Sequence, residues 1–332
     1  MTQVYGERSR SNDWLVCQQT RSALGQLDAV LEEAIDVSDP QLCEMALHLI
    51  RRGGKRLRPA LLLLAAQFGD PDDPRFLKAA AAMEFTHVAS LYHDDVMDRA
   101  PARRGGDSVN MRWGNALASI AGTYLFARAS ALLASLGDVP NQLASQASVD
   151  LCAGQLQEVE NAYNLELTEA EHLDILTHKT ATLFKLPCHI GAYLSGASKT
   201  HTATLTAYGL HLGLAFQLAD DALDLVGQAS QLGKATGTDL REGVYSFPVL
   251  RALQQGGTVG EQLLALLGQA RLTEADVQTV LQLVQESGTV AEALEVAIEH
   301  VKGAQVALER LPDNPACCSL SRLAQYTITR SS

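Results

Sequence analysis

Apolar residues recur at three- and four-residue intervals along nearly the whole chain, the rhythm of helices with one face turned to a core. Short polar or Pro/Gly-rich connectors interrupt it, most plainly at residues 69–74, 99–107, 137–140, 227–243 and 313–315. No run alternates apolar and polar positions between hairpin turns, and no repeat of fixed period emerges. The spacing predicts an all-α protein of about ten to thirteen helices at ordinary helix length. No connector is long enough to separate two domains, so residues 1–332 are expected to form one domain with frayed ends.

Composition sharpens this picture. Apolar residues make up 47% of the 332, enough for a substantial core, while aromatics are only 5%. A sheet protein would use more β-branched and aromatic residues, so the bias to Ala and Leu favours helix. The formal charge of −12 argues against a nucleic-acid partner, which needs a basic face. Six scattered cysteines without a CxxC spacing fit a reduced, cytoplasmic compartment. No signal peptide is apparent, and the longest apolar run recognised, residues 59–66, is too short to cross a bilayer. The expectation is a soluble protein with at most peripheral membrane contact.

Two aspartate clusters stand out against this apolar background. In Leu91-Tyr-His-Asp94-Asp95-Val-Met-Asp98, Asp94 and Asp98 are four apart and share a helix face, with Asp95 beside them. Glu84, His87 and Leu91 extend the same stripe backward. In Phe216-Gln217-Leu-Ala-Asp220-Asp221-Ala-Leu-Asp224, Gln217, Asp220, Asp221 and Asp224 form a second stripe. Like charges at this spacing destabilise a helix, and building the cluster twice points to cations that cancel the repulsion. Oxygen ligands of this kind suit Mg²⁺, which bridges carboxylates to phosphates and keeps several waters. The alternative is two solvated acidic faces, which the apolar settings disfavour.

A basic counterpart lies nearby. Arg51-Arg-Gly53-Gly54-Lys55-Arg56-Leu-Arg58-Pro59 places several cations beside two glycines that let an anion approach the backbone. Arg103-Arg104-Gly105-Gly106 follows the first aspartate cluster, and a guanidinium fork suits phosphate oxygens. Lys179-Thr180, Lys185 and Lys234 are weaker candidates. Acid-rich helices ringed by cations describe a grip on a diphosphate.

In chain order, GGKRLRP, LYHDDVMD with its following RRG, KTATLF, FQLADDALD and GKATGTDL resemble the trans-isoprenyl diphosphate synthase, or polyprenyl synthetase, family. The likeness runs from about Leu24 to Arg330. It implies a single large helical bundle of the isoprenoid synthase type, usually dimeric, with the two aspartate helices facing a central apolar cavity. It also implies Asp94 and Asp98 holding two Mg²⁺ ions and Asp220 a third, with Asp95, Asp221 and Asp224 in support. Arg103, Lys179 and Lys234 would then clamp an allylic diphosphate. Lys55, Arg58, His87 and Arg104 would bind isopentenyl diphosphate, and Gln217 and Thr180 would flank the reacting carbons. The implied reaction ionises the allylic C–O bond and joins the cation to the isopentenyl double bond.

By the same resemblance, the growing chain runs back along the Asp94 helix past Ala89 and Ser90 and then Thr86. These are small residues where farnesyl-type enzymes carry aromatic blockers, so a product in the geranylgeranyl to octaprenyl range is expected. Phe126 and Ser130 are candidates for the cavity floor. The sequence departs from the family at Val244, where Lys is usual, at Gln155 and Glu158, which look exchanged, and at Thr123, often Asp. A class I terpene cyclase and a subunit of a heteromeric prenyl synthase are the alternatives, although cyclases generally lack the second DDxxD and such subunits lose one cluster. An HD-type phosphohydrolase needs further histidines on the Asp94 face, and His87 and His93, six apart, do not share one.

Overall fold

The computed structural model describes residues 13–226, 236–269 and 271–329; the expected frayed ends fall largely outside them. The helices are α1 (Gln18–Glu33), α2 (Pro40–Arg51), α3 (Leu57–Ala66), α4 (Arg75–Met97) and α5 (Val109–Trp113). Then come α6 (Asn115–Ala134), α7 (Asp138–Glu160), α8 (Glu169–Leu176), α9 (Thr182–Leu194), α10 (Lys199–Val226) and α11 (Thr238–Glu242). The chain continues with α12 (Phe247–Gln255), α13 (Gly257–Leu267), α14 (Glu274–Glu286), α15 (Thr289–Leu308) and α16 (Pro315–Thr329). The fold is all-α, with one minimal hairpin, β1 (Ala102–Arg103) and β2 (Gly106–Asp107).

There are more helices than the periodicity indicated, because glycines cut continuous patterns. Gly114 (φ 86°) separates α5 from α6, and Gly256 (φ 66°) separates α12 from α13. Three of the described helices start on a side-chain cap. Asp39 accepts from the Leu42 N–H before Pro40, and Thr168 and Thr273 form reciprocal capping boxes with Glu171 and Asp276.

The chain divides into two compact units: Met1–Ala147, Leu183–Gly209 and Ala307–Leu323 in the first, and Ser148–Thr182, Leu210–Val306 and Ala324–Ser332 in the second. The first is built around α4, whose Ala79–Ala82, Phe85, Val88, Ala89 and Tyr92 are sealed in its core. The Tyr92 hydroxyl donates to the Met45 carbonyl at 2.7 Å and accepts from Leu49 N at 3.3 Å, tying α4 to α2. The second unit has two apolar clusters, one on Leu240, Val249, Leu263 and Val280 and one on Leu214, Leu218, Phe247 and Ala297.

The run at residues 59–66 is not the longest apolar stretch. Helix α6 spans 20 residues at a mean hydropathy of 1.4, long and apolar enough to cross a bilayer by those criteria. Its Ala118, Ala121, Gly122, Leu125, Ala129 and Leu133 face is instead packed in the first unit's core. Alanines, a threonine and serines scattered through it hid its length from a search for unbroken Leu-rich runs.

Close helix contact in this unit depends on glycine. A Cβ at Gly191 of α9 would land on the Leu62 carbonyl oxygen of α3, a backbone atom that cannot swing aside. Gly191→Ala is expected to lower stability by about 1–3 kcal/mol, the usual range for overpacking, read as an earlier urea midpoint; an unchanged midpoint would show that the helices part without strain.

Candidate active site

In the first unit the aspartates close helix α4. Asp94 and Asp95 lie in its last turn, and Asp98 is its C-cap, its N–H donating to the Asp94 carbonyl at 2.8 Å. Asp98 is exposed and Asp94 half-buried, whereas Asp95 is fully buried. The three therefore do not act alike. Asp95 Oδ1 accepts from Arg103 Nε at 2.7 Å, so one of its oxygens serves the guanidinium.

Arg103 is delivered by the hairpin, whose two-residue loop is Arg104-Gly105, with φ of 50° and 74°. Positive φ at both loop residues is the signature of a type I′ turn. Sequence reading found no hairpin because a two-residue strand carries no alternation. Helix α2 clamps it: Arg52 Nη1 donates to the Arg103 and Asp107 carbonyls at 3.1 and 2.9 Å, and His48 Nε2 reaches the Asp107 carbonyl at 2.9 Å. A Cβ at Gly106 would sit 2.5 Å from Arg52 Nη1, so the clamp requires glycine there.

The glycine-rich turn before α3 forms the basic side. Arg56 pairs with Glu84 and donates to Asp28 at 2.9 Å and to the Ile50 carbonyl at 2.8 Å. Arg104 donates to the Leu49 carbonyl at 2.8 Å, to the Gly53 carbonyl, and to Glu84 at 3.2 Å. Both arginines hold left-handed φ, near 50°, which costs about 1 kcal/mol or more for a residue with a side chain. Gly54 leaves room for the Arg104 guanidinium, which a Cβ would meet at 3.1 Å.

Arg58 lies over the Phe184 ring at 4.8 Å, and burial pushes its guanidinium down to about 10 while Glu84 opposes the shift. It stays charged at neutral pH. Burial, and next the Arg58 and Arg104 charges, hold His87 well below the usual imidazole range, so its ring is neutral. Arg58 Nε and His87 Nδ1 are buried without a hydrogen-bond partner among the described residues. Unsatisfied polar atoms of this kind, beside concentrated positive charge, mark where an anionic ligand would be received. Lys55 is exposed at the mouth of the same turn.

Of the chain-length candidates, Thr86, Ala89 and Ser90 are all buried. Thr86 and Ser90 turn their hydroxyls back to the Ala82 and His87 carbonyls at 2.9 and 2.8 Å, leaving a small, polar-satisfied wall. A Cβ at Gly122 would meet the His93 ring and, at 3.3 Å, the Ala89 carbonyl. Phe126 meets His93 edge-on at 5.7 Å, and Ser130 is exposed.

In the second unit, α10 carries Gln217, Asp220, Asp221 and Asp224. Thr180 Oγ1 donates to Gln217 Oε1 at 3.0 Å, and Gln217 Nε2 donates to Asp221 Oδ1 at 2.8 Å, a relay from one helix to the other. The buried His172 stands 3.5 Å from Asp221 Oδ2. Lys179 pairs with Glu158, to which Gln155 Nε2 also donates at 3.4 Å.

Lys179 and Thr180 sit in a π-helical turn, Thr177–Ala181, between α8 and α9. Such turns gather at functional sites because they re-aim side chains within a helix. Gly154 of α7 lets it approach: a Cβ there would be 2.5 Å from the Lys179 nitrogen. No sequence signal foretold the π turn.

Asp239 was not singled out from the sequence. Burial, then Asp224, Asp221, Glu242 and Glu158, push its carboxyl well above the usual carboxylate range. A field this negative around a buried carboxyl is what a divalent cation discharges, so the donor set fits a hard metal ion. Among the described residues no three acidic, imidazole or thiol groups are gathered into a ready coordination shell. Phosphate oxygens and water would complete it. Lys234 lies outside the described residues.

Comparison with known proteins identifies the family. The family model for Polyprenyl synthetase matches residues 39–284, a stretch with residues of both units. The chain is 35% identical over 320 residues to a nonaprenyl diphosphate synthase of Mycobacterium tuberculosis, covering 96% of this chain and 95% of that one. It is 34% identical over 304 residues to heptaprenyl diphosphate synthase component 2 of Geobacillus stearothermophilus, covering 91% and 94%. A polyprenyl synthase crystal structure from Caulobacter crescentus, complexed with calcium and isoprenyl diphosphate, superposes at a TM-score of 0.91 with 34% identity, covering 96% and 98%. The chain belongs to the polyprenyl synthetase family.

Proposed function

We propose that this protein is a prenyltransferase that joins isopentenyl diphosphate head to tail to an allylic diphosphate, making a trans-polyprenyl diphosphate longer than farnesyl. The observation that carries the reading is a basic cradle on the first DDxxD helix whose Arg58 and His87 keep buried polar atoms unsatisfied among the described residues, in a chain that carries a second DDxxD on α10. A class I cyclase has no use for that cradle, because it takes no second diphosphate.

Asp94, Asp98 and Asp220 are assigned to Mg²⁺, three ions with substrate bound, and Asp221 and Asp224 support them directly or through water. Metal so held would offset the charge on a departing diphosphate and ease ionisation. Asp95 acts chiefly by fixing Arg103, which with Lys179 and Lys234 grips the allylic diphosphate. Lys179 is kept in place by Glu158, and Gln217 is oriented between Thr180 and Asp221. Arg58, Arg104, Lys55 and the neutral His87 receive isopentenyl diphosphate. The neutral ring donates or accepts one hydrogen bond without adding charge. Nothing in the roster is a nucleophile. The proton lost after carbon–carbon bond formation goes to the released diphosphate.

The small size of Thr86, Ala89 and Ser90 supports a long product, as do relatives named for heptaprenyl and nonaprenyl products. The protein is assigned to the cytoplasm as a homodimer, with membrane contact limited to product release. The relative named as a component raises a second reading, that a partner subunit is required. Retention of both aspartate clusters favours activity in the chain alone.

Pure protein incubated with Mg²⁺, isopentenyl diphosphate and geranyl, farnesyl or geranylgeranyl diphosphate should yield all-trans products beyond farnesyl by mass analysis. Chelation should abolish the activity and Mg²⁺ restore it; a cyclic hydrocarbon formed without isopentenyl diphosphate would reverse the assignment. Asp94→Asn and Asp220→Asn should each lower kcat by about 10²–10³, the scale of losing one major charge-stabilising contact, without lowering the melting temperature. Ser90→Phe should shorten the product, and an unaltered chain-length distribution would count against this path.

A further inference from the structure

The basic cradle contains one buried group of the opposite charge. Glu84 is 1% exposed, in a site meant for an anion. It lies on α4 one turn before His87, and its carboxylate pairs with both Arg56 and Arg104. Resting on the function proposed above, we infer that Glu84 is a positioning residue for the isopentenyl diphosphate site. It holds Arg56 and Arg104 in one arrangement and touches no substrate itself.

The division of labour around it supports this. Arg56 is bound to Glu84, Asp28 and the Ile50 carbonyl, which makes it a buttress. Arg58, two residues on, keeps its buried Nε without a hydrogen-bond partner among the described residues. Without a buried counter-charge, Arg56, Arg58 and Arg104 would repel one another in a site poorly screened by water. One buried carboxylate, with the exposed Asp28 on Arg56, relieves that repulsion among three guanidiniums and leaves net positive charge for a diphosphate. It also compensates the left-handed backbone at Arg56 and Arg104, since each side chain reaches Glu84 from that conformation.

Helix geometry adds a second consequence. Glu84 and Asp94 are ten residues apart on one continuous helix, about 15 Å along its axis at 1.5 Å per residue. Anchoring the cradle to Glu84 therefore sets its distance from the aspartates by a rigid rod, where loop conformation alone would leave it variable.

Steady-state kinetics with each substrate varied in turn test the assignment. Glu84→Gln keeps the shape and removes the charge. It should raise KM for isopentenyl diphosphate about tenfold or more, while kcat and KM for the allylic substrate move less than about threefold. Titration calorimetry with isopentenyl diphosphate alone should show a matching loss of affinity, and Glu84→Asp should recover part of it. If Glu84 merely stabilises the fold, the melting temperature falls, all kinetic parameters worsen together, and the assignment is overturned. Should Glu84→Gln fail to fold, Arg56→Gln is measured the same way. It releases one anchored guanidinium, and an unchanged isopentenyl KM would overturn the idea. A wild-type protein that incorporates no isopentenyl diphosphate overturns the underlying function too, and that result comes before any variant is made.

Discussion

Charge crowded onto apolar helices has to be cancelled, and much of the structure around the site is arranged to do so. A buried carboxylate without a partner is costly, and a buried pair is tolerated only when its geometry and hydrogen bonds are good. The first unit meets this demand inside the protein. Asp95 is held by Arg103, and Glu84 by Arg56 and Arg104. Among the described residues the second unit shows it only in part. Asp221 has Gln217 and a nearby His172, and Glu158 has Lys179, yet Asp239 remains in a field of four other acids. Among the described residues, the cradle of the first unit thus keeps fixed positive charge that suits a diphosphate, while the acids around Asp239 in the second leave negative charge that suits a divalent cation.

The backbone is bent to serve these side chains. Arg56, Arg99 and Arg104 all hold left-handed φ, and with Tyr163 they are the positive-φ residues other than glycine among those described. Such strain persists only where the surroundings overdetermine it. Here the surroundings are ion pairs and carbonyl contacts that fix Arg56 and Arg104 at their tips. The π turn at Lys179 is the same device in a helix, and Gly106 and Gly154 are where backbone and side chain come too close for a Cβ.

Sequence reading found the parts of this arrangement that depend on spacing within one helix. Asp94 with Asp98, and Asp220 with Asp224, are legible because a helix places residues four apart on one face. The all-α class was legible for a similar reason, since periodicity and composition agreed. What escaped was contact between segments far apart in the chain. Nothing in GGKRLRP says that Arg56 turns to Glu84, 28 residues on, while Arg58 turns away. Nor does the run RRGG announce a two-residue turn at Arg104-Gly105, although glycine after a polar residue is compatible with one. His172 gave no signal at all: a lone histidine on an amphipathic helix looks structural until its neighbour Asp221 is known. The length of α6 was missed for a different reason, because its apolar character is spread over alanines and not concentrated in leucines.

The protonation states point the same way as the charges. A reaction driven by acid–base catalysis needs a group that exchanges protons near neutral pH. His87, the histidine in the cradle, is instead driven well below its ordinary range by burial and neighbouring guanidiniums. Arg58 is lowered only to about 10 and keeps its charge. The cradle therefore presents fixed charges beside a neutral ring. That suits bond heterolysis, in which stabilising the separated charge is the whole task and any basic group near the cation would be a hazard. On this view the buried carboxylates are scaffolding. They set where positive charge stands before substrate arrives, so that little reorganisation is left for the moment when the allylic bond breaks.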